Sequence, residues 1–122
     1  MPKVLIIDDE DAVRSYLASL IQRFGYKTET VATCADAIQK MEGSDIDMII
    51  ADIFLPDSPP QTEWIAQLKK SAAGRPLVII SGYPSEELVA AGDSEGVMAF
   101  LTKPFELAFI KSMLSSAFPP KG

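Results

Sequence analysis

Val4-Leu5-Ile6-Ile7-Asp8-Asp9-Glu10-Asp11 carries four apolar residues into a turn of four consecutive acids. The same arrangement returns three times. Met48-Ile49-Ile50-Ala51 stops at Asp52, Leu77-Val78-Ile79-Ile80 stops at Ser81, and Val97-Met98-Ala99-Phe100-Leu101 is followed by Thr102-Lys103-Pro104. Strand packing needs none of these polar residues. If the runs are parallel strands, three acids, one hydroxyl and one ammonium meet at a single sheet edge. Carboxylates gathered at the carboxyl ends of parallel strands mark a site.

Helical periodicity fills the gaps between the runs. Val13, Leu17, Leu20, Ile21 and Phe24 mark one helical face, starting at Asp9 or Asp11 and stopping at Gly25. Lys27 to Val31 alternates polar and apolar residues like an edge strand. Thr33-x-x-Asp36 resembles a capping box, with Ala37, Ile38 and Met41 facing inward. The third strand is expected over Asp47 to Ala51, followed by a proline-rich loop from Pro56 to Pro60. Trp64, Ile65 and Leu68 form the inner face of a helix ending near Gly74. A short helix should run from Pro84 to Gly92, and a last one carries Leu107, Ile110, Leu114 and Ala117. Five β-α units of this kind give a three-layer α/β fold with a parallel sheet and helices on both faces.

At 122 residues the chain is one domain, expected over residues 1–118. Pro119-Pro120-Lys121-Gly122 reads equally as an end or as the stub of a linker, and Met1 favours a natural N-terminus. The longest apolar stretch is far too short to span a bilayer, and no signal-type segment opens the chain, so no membrane partner is expected. A single cysteine, Cys34, excludes an internal disulfide framework and fits a cytoplasmic location. The net charge of -6 argues against direct nucleic-acid binding. The absence of histidine removes Ser-His-Asp and Cys-His catalysis and His-ligated zinc.

The acidic turn would repel phosphate but attract a hard cation. Two carboxylates there and one from Asp52 suit Mg²⁺, which takes a few carboxylates and keeps several waters. Like charges about 5 Å apart repel by roughly 3 kcal/mol at an effective dielectric near 20, so the cluster needs a cation, a lysine or protonation. Taken alone, the turn divides evenly between a helix cap and a metal site. Asp52 is the candidate nucleophile, able to form an acyl phosphate. Ser81 could donate to a phosphoryl oxygen, and Lys103 could neutralise its charge. Either residue alone would read as an ordinary turn or surface position.

Ile7-Asp8-Asp9-Glu10, Asp52-Ile53-Phe54-Leu55-Pro56, Ile80-Ser81-Gly82-Tyr83 and Phe100-Leu101-Thr102-Lys103-Pro104-Phe105 together resemble the receiver domain of two-component response regulators. The resemblance covers essentially the whole chain. It implies a (βα)5 flavodoxin-like fold with a five-stranded sheet in the order 2-1-3-4-5. It makes Asp52 the phosphoacceptor, with Asp9 binding Mg²⁺ directly, Asp8 through water and Phe54 through its backbone carbonyl. Ser81 and Lys103 would contact the phosphoryl group, and Ser81 with Phe100 would form the switch. Lys103-Pro104 would be a cis peptide, as is usual in the family.

The phosphodonor implied is a phosphohistidine on a histidine kinase or histidine phosphotransfer protein. The output would pass to a downstream protein or output domain through the face of the fourth helix, fifth strand and fifth helix. The resemblance also allows a homodimer through that face, and an exposed member of Phe105, Phe109 and Phe118 would be a contact candidate.

One segment departs from the family. Asp57-Ser58-Pro59-Pro60-Gln61 contains no glycine and runs about one residue longer, and its prolines stiffen the loop beside Asp52. In the family, side chains at the places of Phe54 and Tyr83 border the path of hydrolytic water, so either both prolong the phosphate's lifetime or Phe54 packs on the loop and only its carbonyl matters. Cys34 reads as a small apolar residue rather than a redox sensor.

Two other classes compete. A phosphatase like those of the haloacid dehalogenase family would place a second acid two residues after its nucleophile, where Phe54 stands. The chain is therefore expected to signal rather than turn over substrates. A receiver used only for protein contacts, without phosphorylation, remains the alternative.

Overall fold

The runs that end in acids are strands with both faces covered. The structure is a computed structural model, and it describes residues 2–43, 45–53, 55–81, 97, 99–102 and 107–118. Its elements are β1 (Lys3–Ile7), α1 (Asp11–Arg23), β2 (Lys27–Val31), α2 (Cys34–Glu42), β3 (Met48–Asp52), α3 (Gln61–Ala72), β4 (Leu77–Ser81), β5 (Ala99–Thr102) and a C-terminal helix (Leu107–Ala117). The helix expected from Pro84 to Gly92 and the peptide Lys103-Pro104 lie outside the described residues.

The strands form one parallel sheet in the order β2-β1-β3-β4-β5. Every residue of β3 and β4 is buried, as a parallel strand between two helical layers must be. Successive side chains point to opposite faces, which divides the core in two. Leu5, Ile7, Ile49, Ala51, Leu77 and Ile79 pack with Ala37 and Met41 of α2 and with Trp64, Ile65 and Leu68 of α3. Val4, Ile6, Met48, Ile50, Val78 and Ile80 pack with Leu17, Leu20 and Ile21 of α1 and with Ile110, Met113 and Leu114 of the C-terminal helix. The chain steps from β1 to β2, then returns past β1 to β3. Right-handed crossovers therefore place α1 and α2 on opposite faces and leave a crevice between the carboxyl ends of β1 and β3.

The helix signals act as expected. α1 gives way to Phe24 and then Gly25, whose φ of 94° a glycine adopts without strain. The Thr33 hydroxyl accepts from the Asp36 amide at 3.2 Å, capping α2. The third strand sits one residue later than Asp47 to Ala51, so Asp52 is its last member. Asp47 instead holds the end of β1, its carboxylate accepting from the Lys3 amide at 2.8 Å.

A less expected device closes the opposite end of the sheet. α3 ends on Ala73 and Gly74, both left-handed, and the chain then delivers Arg75. The Arg75 guanidinium donates to Ala72 O at 2.7 Å, Ser71 O at 2.8 Å, Met41 O at 2.7 Å and Ile46 O at 3.1 Å. It thereby caps the last carbonyls of α2 and α3 together, where a cation is also favoured by both helix dipoles. Arg75→Ala should lower the unfolding free energy by about 2–3 kcal/mol in urea titrations, since it strands several carbonyls at once. Arg75→Lys should recover less than half of the loss, because an ammonium lacks the planar fork.

Candidate functional site

The site begins where β1 runs out. The Asp8 amide continues the ladder by donating to Val31 O at 3.1 Å, which carries a buried carboxylate to the crevice. The Glu10 amide donates to Asp8 Oδ1 at 2.9 Å, so the aspartate folds the turn that follows it. Arg14, one turn into α1, donates to the Asp8 carbonyl at 2.6 Å and pairs with Asp11. Asp11 is thus committed to opening the helix. The other three acids of the turn face β3.

β1 and β3 pair in parallel, with Ile7 beside Ala51. One step further along the same register stand Asp8 and Asp52, both buried. Carboxylate oxygens of Asp8, Asp9, Glu10 and Asp52 all lie within 4.8 Å of one another. At that separation two charges repel by about 3 kcal/mol at an effective dielectric near 20, so the cluster favours a bound cation. The donors are all hard carboxylate oxygens, with Asp9 and Glu10 open to solvent. That set fits Mg²⁺, which keeps part of its water shell.

The structure therefore brings together three of the expected site residues, Asp8, Asp9 and Asp52. It adds Glu10, which the sequence reading left within the acidic turn without a role. Ser81 is buried at the end of β4, in the position following Ile80, the register partner of Asp52. Thr102 of β5 pairs with Ser81. Phe100 is half-buried against the core beneath α2 and α3. Phe54, Tyr83 and Lys103 lie outside the described residues.

The loop after β3 is built without glycine. Leu55 O accepts from the Ser58 amide at 3.1 Å and from the Ser58 hydroxyl at 3.0 Å, closing a four-residue turn with Pro56 in its second place. Among the described residues Ala73 is the only non-glycine with positive φ. Asp57, third in the turn, therefore needs no glycine in its place. Its carboxylate reaches across to α2, accepting from the Cys34 amide at 2.8 Å and the Ala35 amide at 3.2 Å. With Thr33 accepting from Asp36 and Ala37, all four leading amides of α2 are satisfied. On the other side of the loop, the buried Trp64 indole donates to the Asp52 carbonyl at 3.2 Å.

These contacts set two ionisations. The Cys34 and Ala35 amides hold the Asp57 carboxyl below the usual aspartate range. Burial, with the Asp57 charge beside it, pushes the Cys34 thiol up to about 12. Cys34 is thus a protonated, buried thiol, as its apolar reading required.

Residues 4–115 match the family described as the response regulator receiver domain. The chain belongs to that family. Its receiver fold is 25% identical, with a TM-score of 0.87, to a CheY-like receiver domain protein from Methanospirillum hungatei JF-1, over 95% of this chain and 92% of that one. A beryllofluoride-activated NtrC4 receiver domain dimer superposes with a TM-score of 0.85 at 27% identity, covering 97% of each chain. Among curated relatives, the sensor kinase CckA of Brucella abortus (strain 2308) is 29% identical over 106 residues, 85% of this chain. The chain spans only 11% of that kinase's length. Among the described residues no helix is long and apolar enough to cross a membrane.

The Asp57 cap makes a pH signature. A carboxyl whose pKa is depressed by folding stabilises fully above its unfolded value of ~3.9 and loses that contribution as pH falls through the folded value. Asp57→Ala should be less stable than wild type by about 1 kcal/mol at pH 7, as for other lost N-caps. In urea midpoints recorded downward in pH, that deficit should stay constant to ~4 and then narrow.

Proposed function

We propose that this receiver domain accepts a phosphoryl group on Asp52 from a phosphohistidine of a histidine kinase or histidine phosphotransfer protein. The observation that carries the reading is the convergence of Asp8, Asp9 and Asp52 at the crevice between β1 and β3. An Asp52 carboxylate oxygen attacks phosphorus as the P–N bond breaks. The imidazole leaves with that electron pair and ends as neutral histidine after taking up a proton. Asp8 and Asp9, with the Phe54 carbonyl, would hold Mg²⁺. The ion would supply positive charge to the transferring oxygens. Asp8 and Asp9 also keep the crevice acidic, so that without a cation the site resists a phosphoryl anion.

Ser81 and Lys103 are proposed to contact the phosphoryl oxygens. Ser81 sits one strand from Asp52, where a hydroxyl can donate to a group that Asp52 carries. Ser81 and Phe100 are the proposed switch, and Phe54 with Tyr83 the proposed shield against hydrolytic water. The domain would comprise residues 1–118 in the cytoplasm, with 119–122 as tail or linker. It would act as a signalling element whose only chemistry is gain and loss of its own phosphate.

Output is assigned to the face that includes β5 and the C-terminal helix. Ile110, Met113 and Leu114 turn inward there, while Phe109 is 63% exposed. Phe109 is proposed as a contact residue of that face. The neighbouring NtrC4 structure is an activated dimer, which supports proposing that this receiver can pair through the same region.

Incubation with acetyl phosphate and Mg²⁺ should add one phosphoryl mass, lost in Asp52→Asn and without Mg²⁺. No adduct on the wild-type chain in the presence of Mg²⁺ would leave a phosphorylation-independent interaction domain. Beryllofluoride with Mg²⁺ should raise the association state or the exchange protection of the C-terminal helix. Phe109→Ala should weaken either response, and an unchanged one in wild type would exclude this output face.

A further inference from the structure

The loop that leaves Asp52 is fastened at its start and near its middle by hydrogen bonds to α3 and α2. Trp64 Nε1 donates to the Asp52 carbonyl at its start. Asp57 binds the Cys34 and Ala35 amides near its middle. The Leu55–Ser58 turn fixes the backbone that carries Asp57. None of these groups needs to touch a phosphoryl donor. All of them constrain the peptide from which the Asp52 side chain projects.

We infer that Trp64 and Asp57 are positioning residues, a two-point clamp that sets the Asp52 carboxylate against Asp8 and Asp9. The inference rests on the phosphoacceptor reading above and deepens it. Rotation about the backbone at residue 52 moves its carboxylate relative to the two acids from β1, which the Asp8 turn fixes independently. An indole N–H is a single rigid donor on a fully buried ring, so it locates that carbonyl to within hydrogen-bond tolerance. The Asp57 carboxylate satisfies two leading amides of α2, so the loop cannot lift without exposing orphan donors of that helix. The clamp thereby takes over the job of holding the loop, with Pro59 and Pro60 stiffening its far end. Trp64 bonds the backbone of a proposed metal ligand and Asp57 holds the loop that follows it, and supports of this kind tune affinity rather than make it.

Three variants test the clamp: Trp64→Phe, Asp57→Ala and Asp57→Asn. The first removes the indole donor and also leaves a small void in the core, so its melting temperature is measured alongside. The third keeps an oxygen for the Cys34 amide and should behave closest to wild type. Two measurements are made on each. One is a Mg²⁺ titration followed by the amide shifts of residues 8–10. The other is the Mg²⁺ dependence of acetyl phosphate labelling.

Trp64→Phe and Asp57→Ala should each raise the half-saturating Mg²⁺ concentration roughly tenfold. Amide exchange at Cys34 and Ala35 should quicken in Asp57→Ala and stay slow in Trp64→Phe. A merely structural role would lower the melting temperature without moving the Mg²⁺ midpoint measured well below it. Variants that melt above the assay temperature and titrate like wild type overturn the inference. Should Trp64→Phe fail to fold, the Asp57 pair decides alone. Wild-type chain that takes no label refutes the phosphoacceptor reading, and the inference falls with it. Labelled wild type with unshifted variants refutes the clamp alone.

Discussion

Two buried carboxylates beside one another are the constraint on which this structure turns. Asp8 and Asp52 share a register position at the ends of β1 and β3, inside a sheet whose neighbouring positions are wholly apolar. Burying two like charges side by side is costly. The fold tolerates them because the four residues before each acid bury aliphatic side chains on both faces of the sheet. One such side chain contributes about 1.5–3 kcal/mol, the same order as the repulsion within one acid pair. The strands hold the acids together against their charge, and positive charge in the crevice offsets that repulsion. An acidic crevice is thus a consequence of how the sheet pairs.

The same logic explains the loop that departs from the family pattern. A loop beside a charged crevice must not wander, and glycine gives freedom rather than order. Here Pro56 opens the turn, and Asp57 caps a helix that follows a different strand. The carboxylate that might have added to the acidic cluster is turned onto α2 amides instead, where the helix dipole favours it. Arg75 performs the complementary task at the far end of α2, binding Met41 O and Ile46 O. α2 is thereby capped at both ends by residues flanking α3.

Much of the molecule was legible because its signals are local. Apolar runs, the Gly25 stop and the Thr33 cap depend on residues within a few positions of one another. The acidic turn and Asp52 were legible as a site because a parallel sheet brings strand ends together whatever lies between them. What escaped was set by contacts between distant residues of unremarkable type. Arg75 meets carbonyls as far back as Met41, and no spacing marks it as a cap for two helices. Asp57 read as part of a stiff loop, since its partners are amides, which carry no sequence identity. Trp64 was recognised as core, and so it is. Only the fold reveals that its one polar atom reaches the Asp52 carbonyl. Glu10 was hidden by its neighbours, because four acids in a row do not say which one turns away.

The ties among α1, α2 and α3 bear on signalling. α2 and α3 are joined at one end through Asp57 and at the other through Arg75, with Trp64 tying α3 to Asp52. α1 is joined to the acidic turn through Arg14. These bonds join the elements around β1, β2 and β3. A change in charge at Asp52 therefore meets a braced framework there. If Asp52 is the acceptor, the proposed switch begins at the neighbouring strand end, Ser81, and continues to β5 with Phe100. That is the side on which Phe109 stands exposed. Bracing around Asp52 is then compatible with a response at the proposed output face.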